Sequence, residues 1–178
     1  EVAEELGLAV TPREINRAIK EMAGGNTPGP DGLPIEFYAA YKELLTPRLV
    51  VIYNEAREKG ILPQSMREGM IVPLPKTQKQ GASPKEFRPL SMLHANFKIL
   101  RKILANRLLL SMETLIHRDQ NGFIPNRNTS RNLRRLYGVP YAAGEERETR
   151  SGIISVDLEK AFNTINWEYL MEVLSRMG

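Results

Sequence analysis

The sequence predicts a mixed α/β chain (α+β), in which several helices accompany a few short strands. Apolar residues recur at helical spacing in several segments, and the longest runs from about Asn96 to Ile116. Two short runs, Gly69–Pro75 and Ile153–Val156, instead place apolar and β-branched residues next to one another, which is typical of strands. With 178 residues and 42% hydrophobic content, the chain can form one domain or part of a larger one.

The N-terminal third is predicted to be helical, with one glycine- and proline-rich break. Thr11-Pro12-Arg13-Glu14 has the pattern of a capping box with proline at the first helical position, and Gly24-Gly25 is expected to end this helix. The loop Pro28-Gly29-Pro30-Asp31-Gly32 lacks the Gly-Lys-Ser/Thr ending of a P-loop, and we expect a rigid turn in which Asp31 bonds its own backbone. Further helices are expected from Pro34, with Phe37, Tyr41 and Leu44 on one face, and from Thr46 to Glu58.

The remaining elements alternate between strand, loop and helix. The prolines of Gly69–Pro75 predict an edge strand or one that ends early, and Phe87-Arg88-Pro89 reads as a tight turn. In the long helix, Arg107 is expected to lie off the apolar stripe with the other basic residues. Residues 131–143 are expected to be helical but interrupted by Gly138 and Pro140. Asn166 is expected to cap a last helix, Trp167 to Met177. Ile153–Val156 then has no later strand to pair with, which suggests a cut through a domain.

The charge is concentrated in the middle of the chain. Residues 1–60 hold 7 Lys and Arg against 10 Asp and Glu, residues 61–135 hold 14 against 4, and residues 136–178 hold 4 against 7. The central excess of ten positive charges favours a surface that faces a polyanion such as nucleic acid. A solvated basic surface without a partner is the alternative.

Composition excludes several classes of protein and site. The chain has no cysteine, which rules out disulfides and cysteine-bound zinc and fits an intracellular protein. No uncharged apolar run approaches the length of about 20 residues that a membrane span requires, and the N-terminus lacks the pattern of a signal peptide. We expect no membrane partner.

Asp157 is the leading candidate for chemistry. It follows the strand-forming run Ile153–Val156, so its carboxylate can lie at the end of a strand and bind a divalent metal. The alternative is that Asp157 caps a helix, which aspartate often does. Lys76, after the first strand, and Arg88 could each hold a phosphate, or could be exposed charges without a ligand.

Several segments in order resemble one enzyme family. They are Pro28-Gly29-Pro30-Asp31-Gly32-Leu33-Pro34, Ile71-Val72-Pro73-Leu74-Pro75-Lys76, Phe87-Arg88-Pro89-Leu90-Ser91, Leu104-Ala105-Asn106-Arg107-Leu108, Asp119-Gln120-Asn121-Gly122-Phe123-Ile124-Pro125 and Ile154-Ser155-Val156-Asp157-Leu158-Glu159-Lys160-Ala161-Phe162. Together they resemble the reverse transcriptase of a non-LTR retrotransposon of the LINE, especially L1-like, type. The resemblance covers nearly the whole chain, and it implies a nuclear protein.

The resemblance implies a truncated right-hand polymerase fold and roles for individual residues. Residues 1–66 would form an N-terminal extension, 67–150 the fingers and their connection to the palm, and 151–178 the first part of the palm. Asp157 would be the first catalytic aspartate, bind Mg²⁺ and be joined by the backbone carbonyl of Leu158. The other implied roles are nucleotide binding by Lys76, Arg88 and Phe162, and template binding by Gln120, Gly122, Phe123, Asp31 and Gly32.

The implied activity is RNA-directed DNA synthesis by two-magnesium nucleotidyl transfer, with an RNA template, a DNA primer and dNTPs. The family's second aspartate motif is absent, because no Asp-Asp occurs in the chain. We therefore expect this motif and the rest of the palm and thumb to follow Gly178, and the fragment alone to be inactive. Asn163 also stands where many relatives carry aspartate. The alternatives are a non-catalytic RNA-binding remnant or domesticated fragment, and a maturase of the group II intron type.

Overall fold

Helices dominate the chain in the computed structural model, which describes residues 6–76, 83–145, 154–158 and 164–177. The described residues fall into two compact units, the first Gly7–Arg107 and the second made of Leu6 and the described residues from Leu108 onward. The elements in chain order are α1 (Pro12–Glu21), α2 (Ile35–Ala40), α3 (Lys42–Lys59), α4 (Gln64–Arg67), β1 (Gly69–Pro75), β2 (Phe87–Leu93), α5 (Ala95–Leu115), α6 (Ser130–Glu145) and α7 (Trp167–Met177), with a short 3₁₀ helix, Pro84–Glu86, before β2. The mixed class of helices with a small antiparallel sheet is confirmed.

Helix α1 begins as its sequence predicts. The Thr11 hydroxyl accepts a hydrogen bond from the Glu14 backbone at 3.3 Å, and the Glu14 carboxylate accepts one from the Thr11 backbone at 2.9 Å. These two bonds satisfy backbone donors that the first turn of a helix cannot satisfy internally. Ile15, Ala18 and Ile19 are buried and fix the orientation of α1 on the core.

The core of the first unit joins α1, α2, α3 and the first half of α5. Ile15, Tyr53, Ile99 and Ile103 are its largest fully buried side chains. Burial of an aliphatic or aromatic side chain of this size contributes about 1.5–3 kcal/mol. The Tyr53 hydroxyl, which would otherwise lack a partner inside the core, donates to the Asn96 carbonyl at 2.6 Å.

The boundary between α2 and α3 differs from the prediction. Tyr41 separates the two helices, and its carbonyl accepts from the backbone of Leu44 and Leu45, so α3 begins before Thr46. Pro47 falls inside α3, where it removes one backbone hydrogen bond near the helix start. The expected apolar face is also wrong, since Tyr41 and Leu44 are exposed while Ile35 and Tyr38 are buried.

β1 and β2 form a two-stranded antiparallel sheet in which Pro73 lies opposite Pro89. The Lys76 backbone donates to the Glu86 carbonyl at 2.8 Å, and hydrogen-bonded pairs alternate along such a ladder. Pro73, Pro75 and Pro89 therefore occupy positions whose N–H would point out of the sheet, where its absence costs no ladder bond. The prediction of a tight turn at Arg88 is wrong, because β1 supplies a partner strand that accommodates the proline.

Two predictions for the second unit are also wrong. Helix α6 (Ser130–Glu145) continues through Gly138 and Pro140, although Pro140 removes one backbone hydrogen bond from it. The strand predicted at Ile153–Val156 is absent from the described residues 154–158, where no neighbouring strand satisfies the backbone hydrogen bonds.

Asn166 caps α7 as predicted, since its side chain accepts a hydrogen bond from the Tyr169 backbone at 3.0 Å. None of the described helices is long and apolar enough to span a membrane.

Candidate functional site

Lys76 and Arg88 lie together where β1 ends and β2 begins. The register pairs Leu74 with Arg88, and the bond from Lys76 to Glu86 continues the same ladder. Lys76 is two residues beyond Leu74, so its side chain lies on the same face of the hairpin as that of Arg88. Both side chains are exposed. The hairpin thus presents two cations on one face, an arrangement that suits a phosphate or a chain of phosphates.

The β1–β2 hairpin is also unusually apolar for an exposed sheet. Met70, Ile71, Leu74 and Leu90 are each between 44% and 69% exposed. A two-stranded sheet with these side chains on its surface is only marginally stable in water.

Asp157 lies in the second unit, in an irregular segment. Its side chain and that of Leu158 are exposed. An exposed carboxylate and a neighbouring backbone carbonyl are oxygen donors, which hard divalent cations prefer. Residues 159–163 lie outside the described residues, so Phe162 cannot be placed, and neither can the start of a helix that Asp157 would cap. Among the described residues no group of three or more acidic, histidine or cysteine side chains could hold a metal ion.

The Pro28–Gly32 loop is the predicted rigid turn. The Gly32 backbone donates to the Gly29 carbonyl at 3.0 Å, and the Leu33 backbone donates to Asp31 Oδ1 at 3.2 Å. Gly32 has a φ of 71°, a left-handed conformation that glycine adopts without strain. The predicted bond from Asp31 to its own backbone region is therefore confirmed.

The turn is placed by close contact with the corner between β2 and α5. A Cβ atom on Gly29 would come within 2.7 Å of the Leu93 carbonyl carbon and of the His94 nitrogen, so only glycine allows this approach. His94 is buried, with Nδ1 3.7 Å from Asp31 Oδ2. Its Nε2 is buried without a hydrogen-bond partner in the described part of the chain. The sequence gives no signal for this contact, because Asp31 is distant from His94 in the chain.

A cavity of about 340 Å³ lies beside the turn. Its lining comes from the loop that precedes α2, from β2 and from the start of α5, and includes Thr27, Pro28, Leu33, Ser91, Met92 and Lys98. The lining is mainly apolar, and Lys98 adds one cation. The cavity therefore joins the predicted template loop to the strand that carries Arg88.

Gln120, Gly122 and Phe123 lie in the loop between α5 and α6. Phe123 has a φ of 63° and is 93% exposed. A left-handed backbone is unusual for a bulky residue, and such strain persists only where the surrounding structure enforces it. The Gln120 side chain donates to the Gly122 carbonyl at 3.4 Å. The loop thus holds an aromatic ring out in solvent at the position predicted to contact the template.

Residues 74–178 match the family described as reverse transcriptase (RNA-dependent DNA polymerase). The chain is 32% identical over 175 residues to the transposon TX1 uncharacterized 149 kDa protein of Xenopus laevis, a match covering 96% of this chain and 13% of that protein. It is 26% identical to the RNA-directed DNA polymerase from mobile element jockey of Drosophila melanogaster, over 88% of this chain and 17% of the relative. It is 28% identical to the retrovirus-related Pol polyprotein from type-1 retrotransposable element R2 of Popillia japonica, over 95% of this chain and 22% of the relative.

The chain therefore spans less than a quarter of the length of each of these curated relatives. The family match begins inside β1 and takes in β2, the long helix α5 and Asp157. It also covers more than half of the 178 residues. This chain belongs to the reverse transcriptase family, and its resemblance to the enzymes of non-LTR retrotransposons is confirmed.

Proposed function

We propose that this chain forms part of the nucleotide- and template-binding surface of an RNA-directed DNA polymerase with a right-hand fold. The observation that carries the proposal is the pair of cations, Lys76 and Arg88, on one face of the hairpin within the family match. In the whole polymerase they would bind the triphosphate of an incoming dNTP, Arg88 through two parallel hydrogen bonds and Lys76 as a point charge.

Asp157 would supply one carboxylate to Mg²⁺ in this polymerase, with the Leu158 carbonyl as a second oxygen ligand. These donors fit magnesium in kind, because Mg²⁺ prefers oxygen. They do not fit in number, since the described residues contain no group of three or more acidic, histidine or cysteine side chains that could hold the ion. The remaining acidic ligands would come from another part of the polymerase, and the chain alone would not catalyse synthesis.

The template would contact two loops. We assign Asp31 and Gly32 a positioning role, because Asp31 turns one carboxylate oxygen to the Leu33 backbone and the other toward His94. The 340 Å³ cavity beside this turn would then receive part of the template strand. Phe123, with Gln120 and Gly122 in the same loop, would stack on a template base, as exposed aromatic side chains do in proteins that bind single strands.

The reaction would be RNA-templated addition of a dNTP to the 3′ end of a DNA primer. The primer hydroxyl attacks the α-phosphate, the bond between the α- and β-phosphates breaks, and pyrophosphate leaves. A bound divalent metal stabilises negative charge on the attacking and leaving oxygens in reactions of this class. This chain's own residues would hold the triphosphate and the template in position.

The test is primer extension on an RNA template by the full-length polymerase that contains this sequence. Asp157→Asn should abolish extension while RNA binding stays unchanged. Glu168→Gln, which neutralises an exposed acid in the same unit, should extend normally and serves as the control. Near-normal extension by Asp157→Asn would refute the metal role. RNA binding by the unmodified protein without any extension would favour the alternative of a non-catalytic RNA-binding protein.

Three further variants test the nucleotide-binding roles. Lys76→Gln and Arg88→Gln should raise the KM for dNTP more than they lower kcat, because they remove binding to the triphosphate. Phe162 lies outside the described residues, and its proposed role as the residue that rejects a 2′-hydroxyl is tested by Phe162→Val. This variant should incorporate ribonucleotides more readily, and unchanged sugar selection would count against the role.

A further inference from the structure

A pocket lined by three arginines lies between the end of α5 and the start of α6. Arg118, Arg127 and Arg131 line it with Pro125 and Asn126, and its volume is about 440 Å³. Residues 117–135 contain five arginines and one aspartate, a net charge of +4 with histidine neutral. A pocket built this way attracts anions strongly, because each guanidinium presents several hydrogen-bond donors and no acceptor.

The loop that forms this pocket is fixed at both ends. The Arg127 guanidinium donates to the backbone carbonyls of Ile116, His117 and Gln120 at 2.9, 2.6 and 2.8 Å, and so closes the loop onto the C-terminal end of α5. At the other end, the Asp119 carboxylate pairs with Arg135, and the Asn132 side chain donates to the Asp119 carbonyl at 2.8 Å. The pocket is therefore held in shape by hydrogen bonds that leave other arginines available to a ligand.

Arg118 and Arg131 are those available arginines. Both side chains are exposed, and neither lies within ion-pairing distance of a carboxylate among the described residues. Arg131 stands in the first turn of α6, a helix that has no acidic residue in its first turn. Positive side chains at a helix N-terminus oppose the helix dipole, whereas a bound anion there is stabilised by it. An anion between Arg118 and Arg131 would remove this electrostatic conflict.

We propose that Arg118 and Arg131 bind one phosphate of a single-stranded nucleic-acid backbone. The proposal rests on the proposed function, because the pocket shares its loop with Phe123, which lies two residues before Pro125. An exposed aromatic ring next to a phosphate-binding arginine pair is the combination that single-strand binding uses, with the ring stacking on a base and the cations holding the backbone. The pocket thus extends the path of the template beyond Phe123.

The test measures binding of a fluorescein-labelled 12-nucleotide RNA to the full 178-residue chain by anisotropy at several salt concentrations. Arg118→Gln and Arg131→Gln should each weaken binding about fivefold to tenfold. Each should also reduce the slope of log K against log salt by roughly 0.7, the value for one phosphate contact on a single strand. Arg134→Gln is the matched control, since it removes the same charge from the same helix but does not line the pocket. Circular dichroism melts confirm that each variant is folded.

The outcomes distinguish this proposal from the function on which it rests. If all three variants bind RNA equally, the proposal fails while the proposed function stands. If the unmodified chain does not bind RNA, the proposal fails, and primer extension by the full-length polymerase decides the proposed function separately. Titrations with inorganic phosphate and with dNTP identify the source of the phosphate. Binding of either one that is lost in Arg118→Gln, with RNA affinity unchanged, would overturn the assignment to a nucleic-acid backbone.

Discussion

Arg107 and Glu14 form a two-point ion pair that joins α5 to the capping box of α1. Arg107 Nε lies 2.6 Å from Glu14 Oε1, and Nη2 lies 2.9 Å from Oε2. The same guanidinium donates to the carbonyls of Leu8 and Ala9 at 2.7 and 3.0 Å. The Arg107 side chain is only 11% exposed. This one side chain therefore supplies hydrogen bonds inside the first unit to the Glu14 carboxylate and to two backbone carbonyls that are distant from it in the chain. The prediction that Arg107 lies off the apolar stripe of α5 with the other basic residues is therefore wrong, because its side chain is largely buried.

Replacing Arg107 should destabilise the first unit. Arg107→Met leaves the Glu14 carboxylate and two carbonyls without their partner, and should lower the free energy of unfolding by about 2 kcal/mol. Arg107→Lys should restore only part of this, because an ammonium cannot make two parallel bonds to a carboxylate. Urea denaturation measures both, with Arg48→Met on an exposed position of α3 as control. A loss no larger than in the control would show that the ion pair contributes nothing to stability.

The same pair predicts how stability depends on pH. The hydrogen bond from Arg107 lowers the pKa of Glu14 from 4.5 to about 2. Because the folded pKa lies below the unfolded one, this stabilisation is complete above about pH 4.5 and is lost as the pH falls toward 2. Thermal melts of the unmodified chain and Glu14→Gln should therefore differ most above pH 5 and converge near pH 2.5. A difference that is independent of pH would rule out the Glu14 carboxylate as its source.

Sequence predicted those features that depend on neighbouring residues. The capping box at Thr11 and Glu14 and the bond from Leu33 to Asp31 join residues two or three positions apart, so composition and spacing suffice. The Arg107–Glu14 pair joins residues 93 positions apart, and nothing local marks Arg107 as different from the other basic residues of α5. A long-range contact of this kind becomes visible only when the two helices are packed together.

At the candidate site, too, the sequence did not reveal which residues far apart in the chain lie together. Lys76 and Arg88 were each found as possible phosphate ligands, but their common face depends on the β1–β2 register. Pro89, considered with its neighbours in sequence alone, predicted a turn at Arg88. In the structure β1 pairs with β2, and Pro89 occupies a position at which the hydrogen-bond ladder requires no N–H group. The arginine pocket was missed for a related reason, since Arg118 and Arg131 are 13 positions apart and line one pocket in a loop that Arg127 closes onto the end of α5.

The close approach at Gly29 should not tolerate a side chain. Gly29→Ala would place a methyl group 2.7 Å from backbone atoms of Leu93 and His94, and should cost about 1–3 kcal/mol of stability. Gly138→Ala is the matched control, because its added methyl group meets no atom within 4 Å and the residue lies in a helix. The control should be neutral or gain up to about 1 kcal/mol. Equal stability of the two variants would contradict the close contact between the turn and the β2–α5 corner.

Phe123 should show a trade-off between stability and RNA binding. Its left-handed backbone, with a φ of 63°, is strained for phenylalanine but not for glycine. Phe123→Gly should therefore raise the free energy of unfolding by up to about 1 kcal/mol, since relief of this strain outweighs the added freedom of the unfolded chain. The exposed ring is also lost, and RNA affinity should fall by about fivefold or more, the effect of removing one stacked base.

Phe123→Ala separates the two effects. It removes the ring but keeps a side chain on the strained backbone, so RNA affinity should fall as in Phe123→Gly while stability stays near that of the unmodified chain. Anisotropy with the labelled 12-nucleotide RNA and urea denaturation measure the two quantities on the same preparations. If neither variant loses affinity, the ring does not contact the nucleic acid. If both variants lose stability, the ring packs against the protein, and the strained conformation at Phe123 serves the fold instead of the template.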